Sequence, residues 1–189
     1  LEPSSAASDV YKRQILITAA FYLFFITLRD FFHRKYRNLS QITAHFSFSI
    51  LILSILFNNI FSSEVITNLK INETYQAQNL KINFESIEQE NKQNFKAIKG
   101  KFIVEDQSGL IEVMQPELRI YNQPNIVTSE ADIKTNIFTD KFMTMNYVQN
   151  QDYFNIRYQV KPFMIWIWIS TILLCLSGCL SLIRKKYEN

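Results

Sequence analysis

Three apolar runs and one long polar stretch divide this chain. Residues 15–28, 42–57 and 163–183 hold almost only apolar, small or hydroxylated side chains, whereas 62–162 are rich in polar ones. A helix needs about 20 residues to cross a bilayer, a length that 163–183 reaches and that 41–61 reaches once its flanks are counted. The pattern predicts two full membrane-spanning helices and one truncated span at 15–28.

The polar stretch between the second and third runs predicts a small β domain. Residues 80–84 alternate apolar and polar side chains, and 154–160 do so over four apolar positions. Residues 106–109 (DQSG) form a turn signal, while Thr128 followed by Glu130 is typical of a helix start. We therefore expect a mostly antiparallel β domain with one short helix, inserted between the spanning helices.

The charge distribution predicts the topology. The sequence has 20 Lys and Arg against 17 Asp and Glu, but 62–162 hold 11 basic against 13 acidic residues. The basic excess therefore flanks the apolar runs, and short Lys- and Arg-rich segments mark the cytoplasmic side of a membrane. This places the loop 29–40 and the tail 184–189 in the cytoplasm and 62–162 outside. It does not favour a nucleic-acid surface, which would spread basic residues over a folded domain.

The first 14 residues look foreign to the rest. The segment SSAASDVYKRQ is similar to the translation of a transposon-type sequencing adapter, and it lacks the basic-then-apolar order of a signal peptide. We exclude residues 1–14 from functional reasoning and expect the natural protein to continue upstream.

The chemically interesting side chain is His45, the one ionisable residue in 42–57. An imidazole within a membrane helix needs a partner, which is either a hydrogen bond to another helix or a bound ligand. Cys175 and Cys179 lie one helical turn apart in the last run and are interpreted as lipid-facing or packing residues. The stretch 62–162 contains no histidine and no cysteine, so we expect no Ser-His, Cys-His or metal catalysis there.

Three motifs resemble the CcmF-type and NrfE-type cytochrome c haem lyase subunits, over residues 15–189. Ala44-His45 opens a membrane helix after a basic loop, similar to the family's AH-x-G motif. Residues 115–121 (QPELRIY), then 128–131 (TSEA) and Asp140, are similar to its PEKR-x-Y … TEA-x-I … D run. Residues 158–168 (YQVKPFMIWIW), then Gly178 and 184–187 (RKKY), resemble its closing KP-x-x-x-WIW … GG … RRY pattern. Three positions depart from the family: Ser47 replaces a glycine, Leu118 a lysine and Cys179 the second glycine.

The resemblance implies a membrane haem lyase that attaches haem, its substrate, to the Cys-x-x-Cys-His motifs of apocytochrome c. It implies a haem chaperone and other cytochrome c maturation subunits as partners, and the bacterial inner membrane as location, with 62–162 in the periplasm. It also implies a non-substrate b-type haem in the membrane, with His45 as an axial ligand of its iron. The tryptophan-rich segment and the other haem-ligating histidines of the family would lie upstream, so this fragment alone is predicted to be inactive.

Two alternatives stay open. The first is that the chain is a small membrane-anchored assembly or docking subunit with a periplasmic binding domain and no haem. A transporter subunit would require broken helices or paired charges within the membrane, which the sequence does not display. In the β domain, Arg119 or Tyr121 either contacts a haem propionate or a partner, or pairs within the domain.

Overall fold

The computed structural model describes residues 3–33, 39–77, 80–106 and 109–188. The helices in this part of the chain are α1 (Pro3–His33), α2 (Leu39–Phe61) and α3 (Met164–Glu188). Its strands are β1 (Ser63–Leu69), β2 (Thr74–Ala77), β3 (Leu80–Asn91), β4 (Phe95–Asp106), β5 (Ile111–Met114), β6 (Glu117–Tyr121), β7 (Val127–Glu130), β8 (Asp132–Thr135), β9 (Thr139–Tyr147) and β10 (Phe154–Pro162). The chain divides into a helical unit, comprising Leu1–Phe61, Ile137–Thr139 and Pro162–Asn189, and a β unit, comprising Ser62–Asn136 and Asp140–Lys161.

The helical unit contains the two full-length apolar helices that the sequence predicts. Among the described residues, Leu39–Phe61 and Met164–Ile183 are long and apolar enough to cross a membrane. The basic loop was expected at 29–40. Within that range 29–33 belong to α1 and 39–40 to α2, and 34–38 lie outside the described residues.

Helix α1 is longer than the predicted segment 15–28. It begins at Pro3 and ends at His33, so it takes in most of the segment that resembles adapter sequence. A helical conformation is compatible with either origin of those residues, because a polar segment joined to a stable helix readily continues it.

The β unit consists of two antiparallel sheets, as expected for this stretch. One sheet has the strand order β1-β10-β9-β8, and the other has β2-β3-β4-β6-β7 with β5 also paired to β4. The long β3–β4 hairpin extends from the pair Leu80–Asp106 to the pair Asn91–Lys96, with an irregularity between Phe84 and Ser86. A bulge of this kind increases the local twist of the sheet.

The core lies between the sheets and is aromatic at its centre. The rings of Phe84 and Phe102 stack with their centroids 4.3 Å apart, and both side chains are fully buried. From the predicted alternating strand at 154–160, Ile156 and Tyr158 are buried in the same core. The period-two pattern of these strands therefore has its usual cause, a sheet with one face against the core.

The short helix expected from Thr128 and Glu130 does not form, and that prediction is wrong. These residues belong to β7, where Thr128 pairs with Arg119 of β6. Ser129 donates a hydrogen bond of 2.7 Å to the Met145 carbonyl of the other sheet. Pairing with β6 satisfies the backbone more fully than one helical turn would, so tertiary context overrides the local capping signal.

Candidate functional site

His45 lies in the second turn of α2, and its side chain is exposed. The direction of the His45 side chain around the helix axis can be compared with that of Ser47, which is fully buried. Each helical residue turns the side-chain direction by about 100°, so His45 points about 200° away from Ser47 around the axis. No hydrogen bond or ion pair joins the imidazole to another described residue. The structure therefore does not show the interhelical hydrogen bond that was one of the two interpretations.

One buried face of α2 is a serine stripe packed against α3; Ser49, one turn after His45, and Leu53 are buried outside this stripe. Positions seven residues apart return to nearly the same face of a helix, and small side chains there allow two helices to approach closely. Ser40 donates a hydrogen bond of 2.7 Å to the Ser177 carbonyl of α3, and Asn58 donates one of 2.7 Å to the Pro162 carbonyl. The two helices are therefore antiparallel and tied near both ends. The stripe consists of Ser40, Ser47 and Ser54 on α2 and of Ser170 and Ser177 on α3.

A second side of α2 is aromatic and contacts α1. The ring of Phe46 stacks on Phe24 at 5.7 Å, and Phe57 lies 6.1 Å from Phe21. Contacts with α1 and α3 occupy two sides of α2. His45 is thus held on a helix fixed by two neighbours, while its own side chain faces away from the serine stripe.

The beginning of α3 is bound to the turn between β8 and β9. The N–H of Phe163 donates to the Phe138 carbonyl at 2.6 Å, and the indole Nε1 of Trp166 donates to the Ile137 carbonyl at 2.9 Å. Phe163 has a φ of 61°, an unfavourable left-handed conformation for a bulky residue. Its ring lies 5.4 Å from that of Phe57. We call these contacts the α3 clasp, in which Trp166, part of the WIW motif, has a structural role.

The polar residues of the predicted family motifs meet on the outer face of the larger sheet. Arg119 donates from Nε to Glu117 at 3.1 Å, and its Nη1 lies 3.8 Å from Glu130. The guanidinium also lies over the Phe95 ring, 5.2 Å from its centroid, and that ring contacts Tyr121 at 5.2 Å. Hydrogen bonding to Glu117 and then to Tyr121 raises the pKa of Arg119. In the structure, Arg119 and Tyr121 therefore contact residues of their own domain.

The same face carries further ion pairs. Lys99 lies 3.0 Å from Glu90 and 3.4 Å from Glu117. The hydrogen bond from Lys99 lowers the pKa of Glu90, and the two carboxylates raise the pKa of Lys99. These alternating charges form a connected network with the arginine cluster, so this face presents balanced charge rather than a patch of one sign.

A buried ion triad, which the sequence analysis missed, lies on the core side of β9. The Lys141 ammonium lies 2.7 Å from Glu112 Oε2 and 3.5 Å from Asp106 Oδ2, and the residue is 9 % exposed. Burial raises the pKa of Tyr158 to about 12, with smaller contributions from the negative charges of Glu112 and Asp106. Lys141 lies 29 residues after Glu112, and no sequence motif links it to the two acids, so only the strand register reveals the triad.

The remaining candidates contribute no ligand cluster. The described residues contain no group of three or more His, Cys, Asp or Glu side chains arranged to hold a metal ion. Cys175 and Cys179 are unbonded and exposed on α3. Asp140, part of the motif comparison, is 9 % exposed, and its Oδ1 has no hydrogen-bond partner among the described residues. Among the described residues, His45 is the accessible histidine.

A two-sheet antiparallel unit inserted between two apolar helices defines the class of this protein, and the comparisons agree with it. The family model of the CcmF C-terminal beta-sandwich matches residues 60–162, more than half of the chain. The chain therefore belongs to this family and corresponds to the C-terminal region of CcmF.

Curated relatives and one solved structure show the same similarity. The chain is 29 % identical over 120 residues to the cytochrome c-type biogenesis protein ccl1 of Rhodobacter capsulatus, covering 64 % of this chain and 18 % of the relative. It is 24 % identical over 167 residues to CcmF of Haemophilus influenzae, with 86 % and 26 % covered, and 23 % identical over 149 residues to CcmF of Escherichia coli, with 79 % and 23 % covered.

The fold resembles a solved structure described as cytochrome c heme lyase CcmF, with a TM-score of 0.58 at 17 % identity, covering 74 % of this chain and 23 % of that one. The chain spans about a fifth to a quarter of the length of these proteins.

Proposed function

We propose that this chain is the carboxyl-terminal part of a membrane haem lyase for cytochrome c maturation, and that His45 is an axial ligand of a b-type haem in the membrane. Family membership and the names of the relatives support the first part. The observation that supports the second is the exposed His45 imidazole, which has no competing partner among the described residues and faces away from the serine stripe.

The residues around His45 fit such a ligand. A neutral imidazole nitrogen is a common axial ligand of haem iron. The serine stripe and the Phe24–Phe46 contact hold α2 against its neighbours, which fixes the direction from which the imidazole presents its nitrogen. Phe48, one helical turn after His45 on nearly the same face of α2, is exposed and would contribute an apolar surface that excludes water. The chemistry that a bound b-type haem supplies is one-electron transfer.

The proposal assigns the β unit a supporting role outside the membrane. Its outer sheet face pairs its own charges, and its sequence has no histidine or cysteine to supply a nucleophile or ligand. In the proposed arrangement the unit lies in the periplasm of a bacterial inner-membrane protein. It docks apocytochrome c, the haem chaperone or other maturation subunits, while the substrate-haem site and the second axial ligand belong to the longer protein.

His45→Ala in the complete protein tests the haem assignment. We expect loss of the b-type absorbance spectrum and of haem measured per polypeptide as the pyridine haemochrome, because a methyl group cannot ligate iron. His33→Ala is the matched control and should retain both, since His33 lies at the end of α1 rather than on α2.

The two variants distinguish the outcomes. An unchanged spectrum and haem content in His45→Ala would refute ligation by this residue. Equal loss in both variants, at normal protein yield and with a single symmetric peak in size-exclusion chromatography, would also refute it, because the loss would not be specific to α2.

A further inference from the structure

The turn between β8 and β9 presents two large apolar side chains in a segment without charge. The turn reads Asn-Ile-Phe-Thr from Asn136 to Thr139, and Ile137 and Phe138 are each 62 % exposed. Turns at the tips of β-hairpins are usually polar, so a pair of exposed apolar side chains there calls for an explanation.

The position of this turn supplies that explanation. Residues Ile137–Thr139 belong to the helical unit rather than to the β unit. The α3 clasp ties the turn to the first residues of α3 through the carbonyls of Ile137 and Phe138. The turn is therefore fixed at the end of an apolar helix, where a membrane boundary would lie.

The surroundings of the turn have the composition of a membrane interface. Aromatic side chains are enriched at the head-group level, where their apolar bodies and polar edges are both accommodated. The end of α2 carries Phe57 and an exposed Phe61, and the beginning of α3 carries Phe163, Trp166 and an exposed Trp168. The apolar side chains of the turn continue this aromatic belt.

We propose that Ile137 and Phe138 insert into the head-group and upper acyl region of the outer leaflet, so that the β8–β9 turn is a third membrane contact beside α2 and α3. This inference rests on the membrane placement in the proposed function. The hydrogen bonds of the clasp use backbone carbonyls and so do not occupy either side chain. The ring of Phe138 lies 6.5 Å from that of Phe163, and the side chain stays 62 % exposed. Insertion of the turn would anchor the β8–β9 hairpin to the bilayer independently of the chain connections at Ser62 and Pro162.

Site-directed spin labelling of the full chain in vesicles of phosphatidylethanolamine and phosphatidylglycerol tests this proposal. Cys175 in a Cys179→Ser background carries the lipid reference label, since it is exposed in the middle of α3. Ile137→Cys, made with both native cysteines replaced by serine, carries the test label. Val127→Cys in the same background is the water reference, because Val127 is similarly exposed, at 57 %, but belongs to the β unit. Collision rates with oxygen and with a water-soluble nickel chelate are compared.

We expect a several-fold higher ratio of oxygen to nickel collisions at position 137 than at position 127. The ratio at 137 should stay below that at Cys175, because oxygen is enriched toward the bilayer centre and a head-group site is shallower. A ratio at 137 equal to that at 127, with Cys175 lipid-exposed, would overturn the insertion while leaving the membrane placement intact. Protection at 137 from both reagents would mean that protein covers the turn, which would also overturn it. If the Cys175 label is itself water-accessible, the membrane placement fails, and the insertion fails with it. Phe138→Cys provides an independent repeat of the measurement.

Discussion

Replacing Lys141 by methionine should destabilise the β unit strongly. The substitution keeps an unbranched side chain but removes the ammonium that lies 2.7 Å from Glu112 and 3.5 Å from Asp106. Two carboxylates would then face one another at the edge of the core without a counter-charge. Removing one partner of a buried ion pair costs about 3–5 kcal/mol.

The solvent exposure of Glu112 and Asp106 decides how large the loss of stability is within this range. The side chains of Glu112 and Asp106 remain 23 % and 32 % exposed, so water relieves part of their repulsion. We therefore expect a loss near the lower limit, about 3 kcal/mol. The matched control is Lys134→Met, at the residue paired with Lys141 across β8 and β9. Lys134 is 47 % exposed and lies 3.7 Å from Asp132, so its loss should cost less than about 1 kcal/mol.

Hydrogen exchange measured by mass spectrometry gives these free energies for the β unit without unfolding the helices. Amides of β9 and β10 should exchange roughly 150-fold faster in Lys141→Met, since each 1.4 kcal/mol corresponds to a factor of about ten. Adding Glu112→Gln should restore part of the protection, because it removes one of the two unpaired charges. Equal effects of Lys141→Met and Lys134→Met, or no rescue by Glu112→Gln, would refute the triad as a source of stability.

Two further predictions concern the same core. A methyl group on Gly100 would lie 2.5 Å from Phe102 Cε2 and 2.9 Å from Met145 Sδ, so Gly100→Ala should cost about 1–3 kcal/mol by overpacking. At Gly178 the new methyl would meet no side chain or other segment within 4 Å, so Gly178→Ala should preserve or raise the thermal unfolding midpoint. Equal midpoints for both variants would contradict the prediction. The folded-state pKa of Tyr158, about 12, lies above the unfolded value of about 10, so its contribution to stability is fully present below pH 10 and is lost as the pH rises through 12. A titration of tyrosinate absorbance should show one late-ionising group that Tyr158→Phe removes, whereas an unchanged late phase would show that another tyrosine is responsible.

Local patterns predicted the elements whose cause is local. Uniformly apolar runs specify α2 and α3, since a helix satisfies its own backbone and needs only an apolar surface of sufficient length. Strict alternation specified β10, since a strand with one buried face leaves that pattern in its own sequence. The same logic failed for Thr128 and Glu130, because a cap signal without a following amphipathic run is too weak to compete with strand pairing.

The sequence by itself determined the class: apolar helices, an antiparallel β domain between them, motifs that resemble one family, and His45 as the residue to consider. Only the tertiary structure decided how these residues meet. It turned His45 away from the serine stripe, paired Arg119 with Glu117 and Glu130, placed Lys141 between Asp106 and Glu112, and tied the β8–β9 turn to α3. The physical reason is that periodicity records whether a residue is buried, whereas strand register and helix rotation decide which distant side chain it is buried against.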